Sequence, residues 1–157
     1  MKIIYLLLLH IYCQPFCAQT TNEIIIFSFQ SIANKTISLS LDTVSNILIF
    51  KNGAAKENLI VVKDALKDES PIFIYSYYFR GGGKDNAGLD LNYVRFTHEN
   101  RDYELFDEFS AEDEAHAVGL RINDLGSGYE YAIEGQYESI RGSITDFRWN
   151  EMIPVEY

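Results

Sequence analysis

The chain has 157 residues, 47% of them hydrophobic and 23% charged, and its 13 Lys and Arg face 23 Asp and Glu for a net charge of −10. That balance argues against nucleic acid, whose phosphates demand Lys and Arg, and equally against an anionic membrane surface. A chain of this length forms one domain and buries a core without covalent staples.

The N-terminus reads as a secretory signal peptide spanning 1–18. Lys2 is the positive start, and Ile3, Ile4, Tyr5 and Leu6 to Leu9 make a short apolar core extended by Ile11 and Tyr12. Pro15 breaks that run, and Cys17-Ala18-Gln19 offers small residues for cleavage. The run is far shorter than the ~20 residues of a membrane span. No later stretch is apolar enough to span a bilayer, so the expectation is an exported protein, periplasmic or extracellular. Removing Lys2 with the signal leaves 12 bases against 23 acids, or −11. Cys13 and Cys17 both fall in the signal, so the mature chain is expected to have no disulfide, thiol nucleophile or cysteine metal site. The alternative is a lipoprotein acylated at Cys17, but bulky Phe16 stands where a small residue is expected.

The mature chain, 19–157, reads as a single all-β domain. Residues 24–29 (IIIFSF) are β-branched and aromatic, a strand by composition. Residues 35–41 alternate Ile37, Leu39 and Leu41 against Thr36, Ser38 and Ser40, the period of a half-buried strand. Residues 46–51 form the next strand, closed by Asn52-Gly53, a hairpin signal because both residues tolerate φ > 0. Residues 54–67 are ambiguous: 58–63 reads as a strand, with a helix as rival. Pro71 opens the strongest strand, with Phe73, Tyr75, Tyr77 and Phe79 on one face and Ile72, Ile74, Ser76 and Tyr78 on the other. Two apolar faces predict a central position.

A glycine-rich loop at 81–88 follows. Residues 89–98 alternate imperfectly, which predicts a bulge near Asn92. Residues 99–102 make a tight turn, and 102–109 pairs back as a hairpin with Tyr103, Leu105 and Asp107 on one face. After the acidic loop 110–114 come strands at 115–123, 129–134 and 139–149, then a tail at 150–157 that frays or caps an end. About eight to ten short strands at this spacing predict an antiparallel sandwich or a closed barrel.

Motifs of catalysis are sparse. After signal removal His98 and His116 remain, without metal-ligand spacing, and read as exposed strand-end residues. Gly126-Ser127-Gly128 is a turn rather than a nucleophile elbow. Gly81-Gly82-Gly83-Lys84 lacks the phosphate-loop spacing and the helix that would follow it. Asp85, Asn86, Asp90 and Asn92 carry oxygens that calcium accepts, yet they miss the EF-hand pattern, and Asn and Asp dominate turns anyway. No cofactor and no metal is expected.

Two candidate sites remain. One is a recognition surface of Tyr77, Arg80, Lys84, Asp85, Asp90 and Asn92, since Tyr and Arg are enriched in protein interfaces. The other is an acidic patch of Glu104, Asp107, Glu108, Glu112, Asp113 and Glu114. Its bland reading is a solvated edge. Its functional reading is contact with a basic protein. A carboxylate hydrolase using Glu104, Asp107 and Glu108 is a further alternative, with Tyr75, Tyr77, Tyr78, Tyr93 and Trp149 able to stack on sugars.

The strings YYFRGGGKDNAGLDLNY, YELFDEFSAEDE and GSITDFRW are similar to those of small exported bacterial proteins of uncharacterised function. The signal ending in Cys-Ala-Gln-Thr resembles those of Bacteroidetes-type bacteria. In size, export, acidity and all-β character the chain is generally similar to periplasmic lysozyme inhibitors, though it lacks their cysteines and Ser-Gly-rich loop. The resemblance carries no activity to transfer; the −11 mature charge without a catalytic constellation is what points to a non-catalytic binding module, inhibitor- or immunity-like, whose acidic loops meet a basic protein. A small-ligand or glycan binder with its site in a barrel mouth is the alternative.

Overall fold

A computed structural model describes residues 22–53, 60–65 and 72–156. The expected signal peptide, and the flanks of the ambiguous stretch at 54–59 and 66–71, lie outside the described residues.

In chain order the strands are β1 (Glu23–Gln30), β2 (Thr36–Asp42), β3 (Ile47–Asn52), β4 (Ile60–Ala65), β5 (Ile74–Arg80), β6 (Leu89–His98), β7 (Arg101–Ser110), β8 (Ala115–Asp124), β9 (Tyr129–Glu134) and β10 (Arg141–Gly142). The four-residue helix α1 (Phe147–Asn150) and strand β11 (Val155–Glu156) complete the chain. Two sheets result, ordered β10-β1-β2-β3-β4 and β11-β5-β6-β7-β8-β9. They pack face to face as a sandwich and do not close into a barrel. The barrel alternative is thereby removed, and with it the barrel mouth as a ligand site. Among the described residues no helix is long and apolar enough to cross a membrane.

Alternation decides which side chains meet between the sheets. Phe27 and Phe29 of β1, Ile37 and Leu39 of β2, and Leu48 and Phe50 of β3 are fully buried or nearly so. From the other sheet come Phe73, Tyr75, Val94, Phe96, Tyr103, Leu105, Leu120 and Ile122. Aromatic rings fill the middle. Phe50 meets Phe96 across the sheets at 4.7 Å between centroids, and Phe96 stacks on Tyr103 at 4.9 Å. The β6–β7 hairpin turns on Glu99 and Asn100, both at positive φ (47° and 60°), so the twist of a two-residue turn matches that of its strands.

Several expectations need correction. Of the 58–63 stretch, residues 60–63 are described and are strand as expected, but β4 continues to Ala65, and in it Asp64 is buried and accepts from the backbone N–H groups of Ile72 and Phe73 at 2.7 and 3.0 Å. Asn52 is not a turn residue; it still pairs with Ile37 and Ile60 inside the sheet. β5 is not central. Its outer neighbour β11 pairs only at Tyr75 and Ser76, so most of that edge is free of strand pairing, and Ile74, Tyr78 and Phe79 are exposed.

No bulge occurs at Asn92, where pairing on both sides is continuous. The irregularity sits instead in β1, between Ile25 and Phe27. There Gly142 of β10 approaches so closely that a Cβ would fall 1.9 Å from the Ile26 carbonyl oxygen.

The C-terminal stretch departs most from expectation. Residues 139–149 are not one strand. A 3-10 turn over Tyr137–Ser139, the two residues of β10 and the single turn of α1 bring Ile144 and Phe147 into the core, both fully buried. The tail's described residues, to Glu156, do not fray but cover part of the β5 edge: β11 pairs parallel to β5, and Tyr75 N–H donates to the Pro154 carbonyl at 2.8 Å.

Candidate functional site

The register of the six-stranded sheet aligns its inward residues in rows. Tyr75, Val94, Leu105 and Leu120 form an apolar row beneath the opposite sheet. Toward the 81–88 loop the next inward rows turn polar: Tyr77, Asn92, Asp107 and Val118, then Phe79, Asp90, Phe109 and His116. Buried polar atoms need partners, and the C-terminal segment supplies them. Arg148 of α1 lies over this end, its side chain only 10% exposed. Its Nη2 pairs with Asp90 and donates to Asn92 Oδ1 at 2.6 Å, and its Nε donates to the Tyr75 hydroxyl at 3.2 Å.

The same guanidinium sits 4.7 Å from the Tyr77 ring centroid. Tyr75 in turn donates to Asn92 Oδ1 at 2.6 Å, and the Asn92 amide donates to Asp90 and to the Asp107 carbonyl. Burial pushes the Tyr75 hydroxyl above its ordinary pKa, against the opposing pull of Arg148. Beside this clasp, His116 Nε2 meets Asp107 Oδ1 at 2.6 Å, and its ring lies tilted against Tyr137 with centroids 4.1 Å apart. His116 is therefore engaged within β8, whereas His98, at the β6–β7 hairpin, faces Glu99 at 3.8 Å.

The loop beyond this end is tied by its own hydrogen bonds. Gly82 and Gly83 adopt φ of 105° and 61°, conformations that L side chains rarely adopt. Arg80 folds back, its Nε donating to the Ala87 carbonyl at 2.8 Å. Gly88 N–H closes onto Gly83 at 2.8 Å, and Ala111 N–H donates to the Gly88 carbonyl at 2.8 Å, tying this loop to the β7–β8 turn. Glu112, Asp113 and Glu114 are exposed on that turn, and Lys84 faces Glu114 at 3.7 Å with both side chains in solvent. The Ser110 hydroxyl, ahead of local backbone donors, lowers the Asp113 pKa. Phe79 and Phe109, on one cross-strand row, remain 60% and 37% exposed.

The residues of the expected recognition surface thus separate. Tyr77, Asp90 and Asn92 join Arg148 in the clasp, Arg80 braces its own loop, and Lys84 and Asp85 stay on the exposed tip. The six acids separate too. Asp107 faces inward to His116, and Glu112, Asp113 and Glu114 occupy the loop end.

Glu104 and Glu108 lie on the outer face of the sheet. There Arg121 donates to Glu104 at 2.6 Å and to Glu108 at 2.7 Å, and Arg95 donates to Glu104 at 2.7 Å. Arg121 covers the Phe106 ring at 4.0 Å. Burial lowers the Arg121 pKa, but hydrogen bonds to Glu104 and Glu108 outweigh it and the net shift is upward. Tyr93, between these groups, is pushed up to about 12 by burial and then by the Glu108 charge and hydrogen bond. Asp107 being on the opposite face, the three carboxylates do not line one cleft. Among the described residues no group of three or more His, Cys, Asp or Glu is placed to hold a metal ion.

No family model, curated protein or solved structure matches the chain.

Arg148 is the central residue that the sequence reading missed. Its stretch read as strand, so nothing pointed it at β6. The available signal was the inward register of Asp90 and Asn92, two polar residues at core positions that require a partner from elsewhere in the chain.

Proposed function

We propose that the protein is an exported, non-catalytic binding module that engages a basic protein partner through its loop end, in the manner of an inhibitor or immunity factor. The observation that carries this reading is the make-up of that end. Phe79 and Phe109 stand exposed on one row, and Asp85, Glu112, Asp113 and Glu114 lie on the two tied loops that follow them, with Lys84 as counter-charge. An apolar centre inside a charged rim is the usual anatomy of a protein interface. The excess of negative charge on the rim steers an oppositely charged partner and raises its association rate. The backbone ties mean little ordering is needed on binding, which favours affinity. Export rests on the N-terminal segment ending at Ala18 and would place the module where it meets secreted proteins.

The test is binding to a panel of basic secreted proteins, lysozyme included, at low and high salt. The triple variant Glu112→Gln, Asp113→Asn, Glu114→Gln should weaken binding about tenfold, because rim charges contribute roughly 0.2–1 kcal/mol each. Binding that ignores both salt and the triple variant, or no binding to any basic protein, defeats the reading. A mature N-terminus at Gln19 in the exported fraction checks the export half.

A further inference from the structure

The outer face of the six-stranded sheet carries two adjoining hollows that share Arg95. One, of about 410 Å3, is lined by Ile72 and Ile74 on one side and by Arg95, Glu104, Asn123 and Glu130 on the other. The second, of about 400 Å3, is bounded by Ser76, Tyr78, Tyr93 and Glu156. Both volumes fall in the range of small-molecule sites. Together they form a trough crossing the sheet, on the face opposite Phe79 and Phe109.

Three features describe what would fill it. The floor alternates in sign across neighbouring strands, with Arg95, Glu104 and Arg121 in one cross-strand row. Such a floor offers donors and acceptors together and suits groups that do both, above all hydroxyls. Two polar side chains in the trough, Asn123 and Glu130, make no side-chain hydrogen bond or ion pair among the described residues. Their donors and acceptors are free to bond an occupant. Finally, the Tyr78 ring is 50% exposed, giving flat apolar surface next to polar groups, whereas Tyr93 lies under the guanidinium groups of Arg95 and Arg121.

Arg95 and Arg121 stand among Asp102, Glu104, Glu130 and Glu156, so the lining carries an excess of negative charge that disfavours anionic ligands.

We propose that this trough binds a neutral oligosaccharide, with Tyr78 against the apolar face of a sugar ring and Arg95, Asn123 and Glu130 bonding its hydroxyls. The site lies apart from the loop end and does not depend on a protein partner there.

The experiment screens the mature chain against an array of neutral oligosaccharides from glucans, xylans, mannans and chitin, with anionic sugars alongside, and follows hits by calorimetry. At least one neutral oligosaccharide should bind. Tyr78→Ala and Glu130→Gln should each weaken that binding about tenfold, with melting temperatures close to the parent. Asn123→Ala is the sharpest variant. It should weaken sugar binding while leaving the unliganded protein about as stable, because the amide it removes makes no side-chain hydrogen bond in the unliganded protein. Phe79→Ala, on the other face of the same strand, and the triple loop-end variant should bind sugar normally. No neutral sugar bound, a preference for anionic sugars, or binding indifferent to Tyr78, Glu130 and Asn123 would each overturn the proposal.

Discussion

Replacing Arg148 by Ala tests whether α1 is held to the sheet by the clasp. The substitution removes the pair with Asp90, the hydrogen bonds to Asn92 and Tyr75, and the cover over Tyr77. Breaking a fully buried ion pair costs about 3–5 kcal/mol, because the remaining charge is stranded. Asp90 keeps the Asn92 amide, and its side chain is 30% exposed, so water offsets part of that cost. About 2–3 kcal/mol is then the expected loss. At roughly 3–4 °C per kcal/mol for a domain of this size, melting should fall by about 6–12 °C.

The double variant Arg148→Met with Asp90→Asn removes both charges together. It should be less destabilised than the sum of the single variants, with a coupling of about 1–2 kcal/mol. The assay is denaturant unfolding of the parent, Arg148→Ala, Arg148→Met, Asp90→Asn and the double variant, with thermal melting as a second readout. A parent-like melting temperature for Arg148→Ala, or strict additivity in the double variant, would show that α1 is held by Ile144 and Phe147 alone and that the clasp does not contribute.

Other consequences can be measured directly. Gly82→Val forces a β-branched side chain into φ of 105°, with its Cβ 2.5 Å from the Asn86 side-chain amide, and should destabilise the protein by about 1–3 kcal/mol; unchanged unfolding would mean that the 81–88 loop does not need its glycines. Tyr93 has a folded pKa raised from 10.0 to about 12, so its neutral form is the one the fold favours. Its contribution is complete below pH 10 and is lost as pH rises from 10 toward 12. The stability gap between the parent and Tyr93→Phe should therefore narrow across that window, and a gap that stays constant would contradict the burial of this phenol against Glu108.

Much of the sandwich was legible because it obeys a period of two. Ile37 and Leu39 point inward as their alternation requires, and the hairpin joining β6 to β7 follows from a local turn. β5 misled for a physical reason. Composition shows that Ile74 and Tyr78 are apolar, but not whether a second layer covers them, and here nothing does among the described residues. The C-terminal stretch failed differently. Ile144 and Phe147 are three apart and belong to a turn and a single-turn helix, too short for any helical period to emerge. Their burial depends on β1 and β5, which are remote in the chain.

The polar end of the sheet marks where period-two reading stopped too early. Asp90 and Asn92 looked like a break in alternation, and a bulge was the natural inference. In fact the alternation is unbroken; what changes along it is polarity. Asn92 is 2% exposed and keeps its register with Tyr77 and Asp107. An inward amide and an inward carboxylate on one strand demand a donor, and the strands pairing with β6 offer only tyrosine hydroxyls and further acids there. A cation therefore had to come from a segment outside that sheet. Of the arginines after β8, Arg141 lies in β10 and is exposed, whereas Arg148 follows the buried Phe147 and is carried over the sheet by it. The core residues of α1 thus place the charge that satisfies β6, and the fold closes at this end through one guanidinium rather than through additional apolar packing.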